Sequence, residues 1–119
     1  MLNEYEAEFF IESKLPETKE SADQEKPGIN INKAIRRLAQ LMKKKFEADD
    51  TMSVKKCLHV AETLYNKGNN TVKVSIETIF IYSLSSIMPD ERNARKQLQA
   101  IIPITLFSCY VKQIMHSGI

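Results

Sequence analysis

The chain has 119 residues, of which 43% are hydrophobic and 27% charged, with a net charge of +2. That suits one domain with a buried core and no need of metal or disulfide staples, and no apolar run approaches the ~20 residues of a membrane-spanning helix. Its only glycines, Gly28, Gly68 and Gly118, stand far apart, which excludes a glycine-rich phosphate loop.

The small net charge hides a division. Residues 1–25 carry eight acids against Lys14 and Lys19, and the remainder carries fifteen bases against seven acids, so a −6 leader precedes a +8 body. The leader begins with a predicted helix over residues 2–14, on which Leu2, Tyr5 and Phe9 form the side expected to dock on the body. Its acids Glu4, Glu8 and Glu12 are candidates for contact with a basic partner. Residues 16–29, bounded by Pro16 and by Pro27-Gly28, hold little that can enter a core and read as a solvated linker.

A basic helix follows, from about Ile31 to Ala48. Ile31, Ile35, Leu38, Leu41, Met42 and Phe46 make its apolar side, and Asn30 or Asn32 is expected to cap its start. Lys33, Arg36, Arg37, Lys43 and Lys44 group on the other side, flanked by Lys45. Five bases on one side are able to neutralise phosphates, but there is no Trp and no interleaved aromatic for stacking. A membrane-surface reading lacks anchoring aromatics apart from Phe46. A solvated outer face, which the acidic leader could lie against, explains these bases with fewer assumptions.

Residues 54–87 read as a helical hairpin. Val54, Cys57, Leu58, Ala61, Leu64 and Tyr65 fall on one side of the first helix, whose start Asp50, Thr51 or Ser53 can cap. Gly68 is expected to close it in the left-handed conformation, and Asn69, Asn70 or Thr71 to cap the second helix. There Val72, Val74, Ile76, Ile79, Phe80, Ile81, Leu84 and Ile87 spread around the whole circumference, which predicts a central helix ending before Pro89.

Past Pro89-Asp90, Ala94, Leu98, Ile101 and Ile102 predict the buried side of another helix, which Pro103 kinks or replaces with a new one. Phe107, Tyr110, Val111, Ile114 and Met115 form a last stripe, running toward Gly118, that either completes the core or makes a dimer seam.

Chemistry is sparse along this path. The only histidines, His59 and His116, are expected at the surface, and His59 points away from Cys57 around their helix. Cys57 and Cys109 lack CxxC spacing and read as two buried thiols. Asp49-Asp50 and Asp90-Glu91 stand at helix starts, where acids complement the dipole, and no His, Cys, Asp or Glu cluster has metal-ligand spacing. No catalytic residue, cofactor or metal site is therefore expected. The opening MLNEYEAEFF lacks the basic-then-apolar order of a secretory signal, so a reducing cytoplasm is the expected compartment.

The segments LNEYEAEFFIESKLPE (residues 2–17) and CLHVAETLYNKGNNTVKVSIETIFIYSLSSI (residues 57–87) resemble a family of small uncharacterised bacterial all-helical proteins. In that family an N-terminal helix ends in a Leu/Ile-Pro-Glu turn, and a later hairpin has a Gly-Asn or Gly-Asp connection. The resemblance implies an immunity-type or other interaction protein and transfers no functional residue. The reading as a whole is an all-α single-domain bundle of five to six helices with the antiparallel hairpin 54–87 at its centre, comprising an acidic helix (1–15), a linker (16–29) and a helical core (30–116). The expected activity is non-enzymatic protein–protein interaction, toxin-neutralising or adaptor in kind. The alternative is a nucleic-acid-associated regulator using the basic side of residues 33–45.

Overall fold

The computed structural model describes residues 1–18 and 31–117, which form six helices and no extended sheet. Part of the expected linker (residues 19–29), the Asn30 cap, the His116 side chain and Gly118 lie outside the described residues. Helix α1 spans Glu4–Lys14 and opens with a capping box, in which the Asn3 side chain accepts from the Glu6 amide and the Glu6 carboxylate accepts from the Asn3 amide. The first residues of the expected linker, Pro16–Thr18, form a 3-10 turn and bury Thr18.

Helix α2, Ile31–Glu47, buries Ile31, Ala34, Ile35, Leu38, Ala39 and Met42. Asn32, one of the two expected caps, lies within the helix, where its side-chain oxygen accepts from Ser75 at 2.8 Å. The end of α2 is closed by Asp49 in the left-handed region, with φ 59°. The amides of Asp49 and Asp50 donate to the carbonyls of Phe46 and Lys45, the bonding pattern of a Schellman motif. Asp50 then caps helix α3, Thr51–Lys67, through its bond from the Ser53 amide. Bonds from the Ser53 hydroxyl and amide hold the Asp50 carboxyl below its ordinary pKa.

Gly68 departs from expectation. Its φ of −77° and ψ of 160° are extended, so it is not a left-handed cap. A Cβ on Gly68 would lie 2.5 Å from the Leu64 carbonyl oxygen and 2.5 Å from Val72 Cγ1, so the residue is glycine for want of space. Leu2 lies alongside Gly68 as a one-residue parallel bridge, with the Leu2 amide 2.6 Å from the Lys67 carbonyl and the Asn69 amide 2.8 Å from the Leu2 carbonyl.

Helix α4, residues 70–87, is capped by Asn69 and contains a π-helical turn at Ile76–Phe80. In an α-helix, residues four apart drift steadily around the axis. The wider π turn offsets that drift, so Val72, Ile76, Phe80 and Leu84 all stay buried. Apolar burial is therefore less than all-round: Val74 is exposed and Ile79 and Ile87 are half-buried. Helix α3 packs on α4 as far as Phe80, while α2 runs along all of it and also meets α1 and α3. The centre is thus the α2–α4 pair, with α3 and α1 against it, and not the 54–87 hairpin alone.

Met88 turns extended ahead of Pro89, and Glu91 caps helix α5, Arg92–Ile101. Pro103 ends that helix: Ile102 before it is extended, as a residue preceding proline must be, and helix α6, Ile104–Ser117, starts afresh. The Pro103 carbonyl accepts from the Phe107 amide, which makes Pro103 the N-cap of α6 and not its first helical residue. On α6 the buried line is Leu106 and Tyr110, and of the expected stripe Tyr110 alone lies on it: Phe107 is half-buried, and Val111, Ile114 and Met115 are exposed. No described helix is long and apolar enough to cross a membrane.

Candidate interaction surface

Among the described residues, the two charged groups singled out in the sequence meet at a single pair across the α1–α2 contact, Glu8 with Arg37, while Glu12 is half-buried. Arg37 Nε donates to the Thr18 carbonyl at 2.8 Å, and its guanidinium lies 3.5 Å from the Glu8 carboxylate. Both side chains are about four-fifths buried, so the pair is shielded and holds the C-terminal half of α1 against α2. At the other end the Glu4 carboxylate accepts from Asn69 at 3.2 Å, beside the Leu2–Gly68 bridge. Glu4, Glu8 and Arg37 thus act within the chain. Arg36, Lys43 and Lys44 remain exposed on α2, as does the Lys33 residue, with Lys45 half-buried.

This clamp decides which side of α1 is turned inward. Ala7, Ile11 and Leu15 are buried, at steps of four residues, and small Ala7 lets the helix approach closely. The expected docking side is reversed: Tyr5 is 69% exposed and Phe9 72% exposed. Only Leu2 of the expected three reaches inward, and it does so partway. Together with Leu2, Glu6, Phe10 and Ser13, the two aromatics line an open groove of about 530 Å³. Helical periodicity sets Glu6 on one side of Phe9 and Glu12 on the other. Lys14 lies over the Phe10 ring, 5.8 Å from its centre.

Residues 9–116 match a described protein family, Domain of unknown function (DUF7674). The chain belongs to this family. No curated protein and no solved structure matches it. The DUF7674 match starts at Phe9, so Leu2, Tyr5 and the acids Glu4, Glu6 and Glu8 precede it.

Elsewhere in the DUF7674 domain the reactive groups come together only around Tyr65 among the described residues. His59 is exposed and sits 3.9 Å from Glu62. Cys57 is fully buried, and that burial pushes its thiol up to about 11. Cys109 is half-buried and carries no disulfide. It stands with Glu77 at the Tyr65 hydroxyl, which donates to Glu77 at 2.8 Å, and both neighbours push the Tyr65 ionisation up. Among the described residues no three His, Cys, Asp or Glu side chains come together as a metal-binding group. A half-enclosed cavity of about 320 Å³ lies between the α2–α3 turn and α5, lined by Phe46, Val54, Leu98 and Ile101. Of its two carboxylates, Asp49 and Asp50, the second is already engaged in capping α3.

Proposed function

We propose that the chain is a non-enzymatic protein-binding module that meets its partner through the outer side of α1. One observation carries the reading: Tyr5 and Phe9 stand open on a helix whose other side is pinned at both ends. An aromatic side chain buries about 150–250 Å² when fully covered, so at this exposure the pair keeps roughly 200–350 Å² available. Because the helix is already held, a partner has little left to order on binding. Glu6 and Glu12 beside the aromatics favour a partner surface that is apolar at its centre and basic at its rim. A toxin-neutralising, immunity-type or adaptor role in a bacterial cytoplasm is the form of this reading that the hairpin and Pro-Glu-turn resemblance supports.

Affinity capture from the source cells with three baits tests it. The wild-type chain and an Arg36→Glu/Lys43→Glu/Lys44→Glu variant should recover the same protein, and Tyr5→Ser/Phe9→Ser should recover at least about tenfold less. Undiminished recovery by the aromatic variant would overturn the reading. A second reading, a nucleic-acid-associated regulator, rests on the exposed bases Arg36, Lys43 and Lys44. It requires duplex binding that weakens with salt and disappears in the triple-charge variant.

A further inference from the structure

Among the described residues nothing covers one side of the last helix. Along α6, Leu106 and Tyr110 are buried and Gln113 is half-buried, which fixes the inward direction. On the opposite side Ile104, Ser108, Val111 and Met115 follow at steps of four, three and four residues, and all are exposed. Ile104 is 75% exposed and Met115 66% exposed. Alternating steps of four and three average 3.5 residues, the repeat that keeps a seam of side chains against a second helix. The row is also narrower than the side a helix turns to its own core.

We propose that this row pairs, antiparallel and about a two-fold axis, with the same row of a second copy of the chain. Self-complementarity selects that occupant. An antiparallel pair centred between Ser108 and Val111 sets Ile104 against the partner's Met115, and Ser108 against the partner's Val111. Long side chains then meet at the ends, and the small serine leaves room for a valine in the middle. A parallel pair would instead set serine on serine at the centre.

The flanks agree with this choice. A two-fold axis between antiparallel helices brings like flank to like flank. Half-buried Phe107 and 43% exposed Ile114 therefore meet their counterparts on one side, and Thr105 and Lys112 stay together on the other. Lys112 is the only Asp, Glu, Lys or Arg on α6, so the surface offers nothing to select an acidic or basic partner.

Area sets the strength. The exposed apolar side chains of the row and its flank amount to on the order of 300 Å² per copy, short of the ~800 Å² per partner typical of a stable specific interface. The dimer is accordingly reversible and fills at high concentration. Since α1 takes no part in it, the pairing stands independently of the partner-binding reading above. Where both hold, it doubles the number of α1 surfaces in one particle.

Sedimentation equilibrium of the full chain from ~5 to ~500 μM tests the proposal. The average mass should climb from 13.7 kDa toward twice that value. Val111→Glu and, at a more exposed position, Met115→Glu should hold it at the monomer with unchanged helical circular dichroism. Tyr5→Ser/Phe9→Ser should dimerise like the wild type. For orientation, Ser108→Cys and Val111→Cys chains, each in a Cys109→Ser background, are mixed under mild oxidation. Cross-links between the two kinds should predominate over cross-links within each. A mass that stays at the monomer throughout, a dimer that survives Met115→Glu, or cross-linking mainly within each kind would overturn the proposal.

Discussion

Replacing Gly68 with alanine probes the joint from which the N-terminal helix hangs. The φ of −77° is open to any residue, so the substitution meets no backbone strain and its effect is one of space. The new Cβ would lie 2.5 Å from the Leu64 carbonyl oxygen, 2.5 Å from Val72 Cγ1 and 2.7 Å from Val72 Cβ. The first of these is backbone in the last turn of α3. Val72 is β-branched and fully buried, so its χ1 cannot rotate away. Overpacking of this kind costs about 1–3 kcal/mol, and the stiffer unfolded chain of alanine offsets about 0.4–1 kcal/mol of that. A net loss of about 1–2 kcal/mol lowers the Tm by roughly 4–8 °C in a domain of this size. Urea and thermal melts followed by circular dichroism measure it. In a double-mutant cycle Val72→Ala, which removes the Cγ1 contact, should couple favourably to Gly68→Ala by at least about 0.5 kcal/mol. Stability within about 0.5 kcal/mol of wild type, or strictly additive effects, would refute the steric argument.

Arg37→Ala should destabilise the domain by about 1–2 kcal/mol, because it removes charge-assisted contacts to Glu8 and the Thr18 carbonyl at a largely buried site. Hydrogen exchange should show residues 4–14 opening more often, and unchanged protection there would count against the clamp. Asp49→Gly should stabilise by about 0.5–1 kcal/mol in urea melts, since glycine meets no Cβ penalty at φ 59°. Cys57 has its pKa raised by burial from 9.0 to about 11, so the native state favours the neutral thiol. Its contribution is full below pH 9 and is lost as pH rises toward 11, on the order of 1–2 kcal/mol. Wild type should therefore lose more stability over that window than Cys57→Ala, and parallel stability–pH curves would show the burial effect to be absent.

Local rules made much of the architecture legible in advance. The caps at Asp50 and Asn69, each narrowed to three adjacent candidates, the apolar side of α2 and the stop before Pro89 all follow from short stretches of sequence. What failed depended on contacts distant in sequence. On α1 both Leu2-Tyr5-Phe9 and Ala7-Ile11-Leu15 are plausible sides, and periodicity cannot rank them. The choice is made by Arg37, which needs Glu8 turned inward, and by Leu2, which pairs with Gly68. Glycine after a helix ordinarily signals a left-handed cap, and nothing local announces that the demand here is room for Val72. The π turn in α4 was equally silent, since it shows only as a stripe of residues four apart that stays buried over too long a stretch. For the candidate surface, sequence located the charged leader but placed its aromatics on the wrong side.

The bridge between Leu2 and Gly68 also constrains the order in which the molecule is assembled. During synthesis α1 emerges long before α3 and the Asn69 turn, and neither of its anchors, Arg37 nor Gly68, yet exists outside the ribosome. Eleven residues are too few for a stable isolated helix in water. Arg37 emerges first and Gly68 about thirty residues later, so the leader is held at both ends only once the hairpin turn is complete.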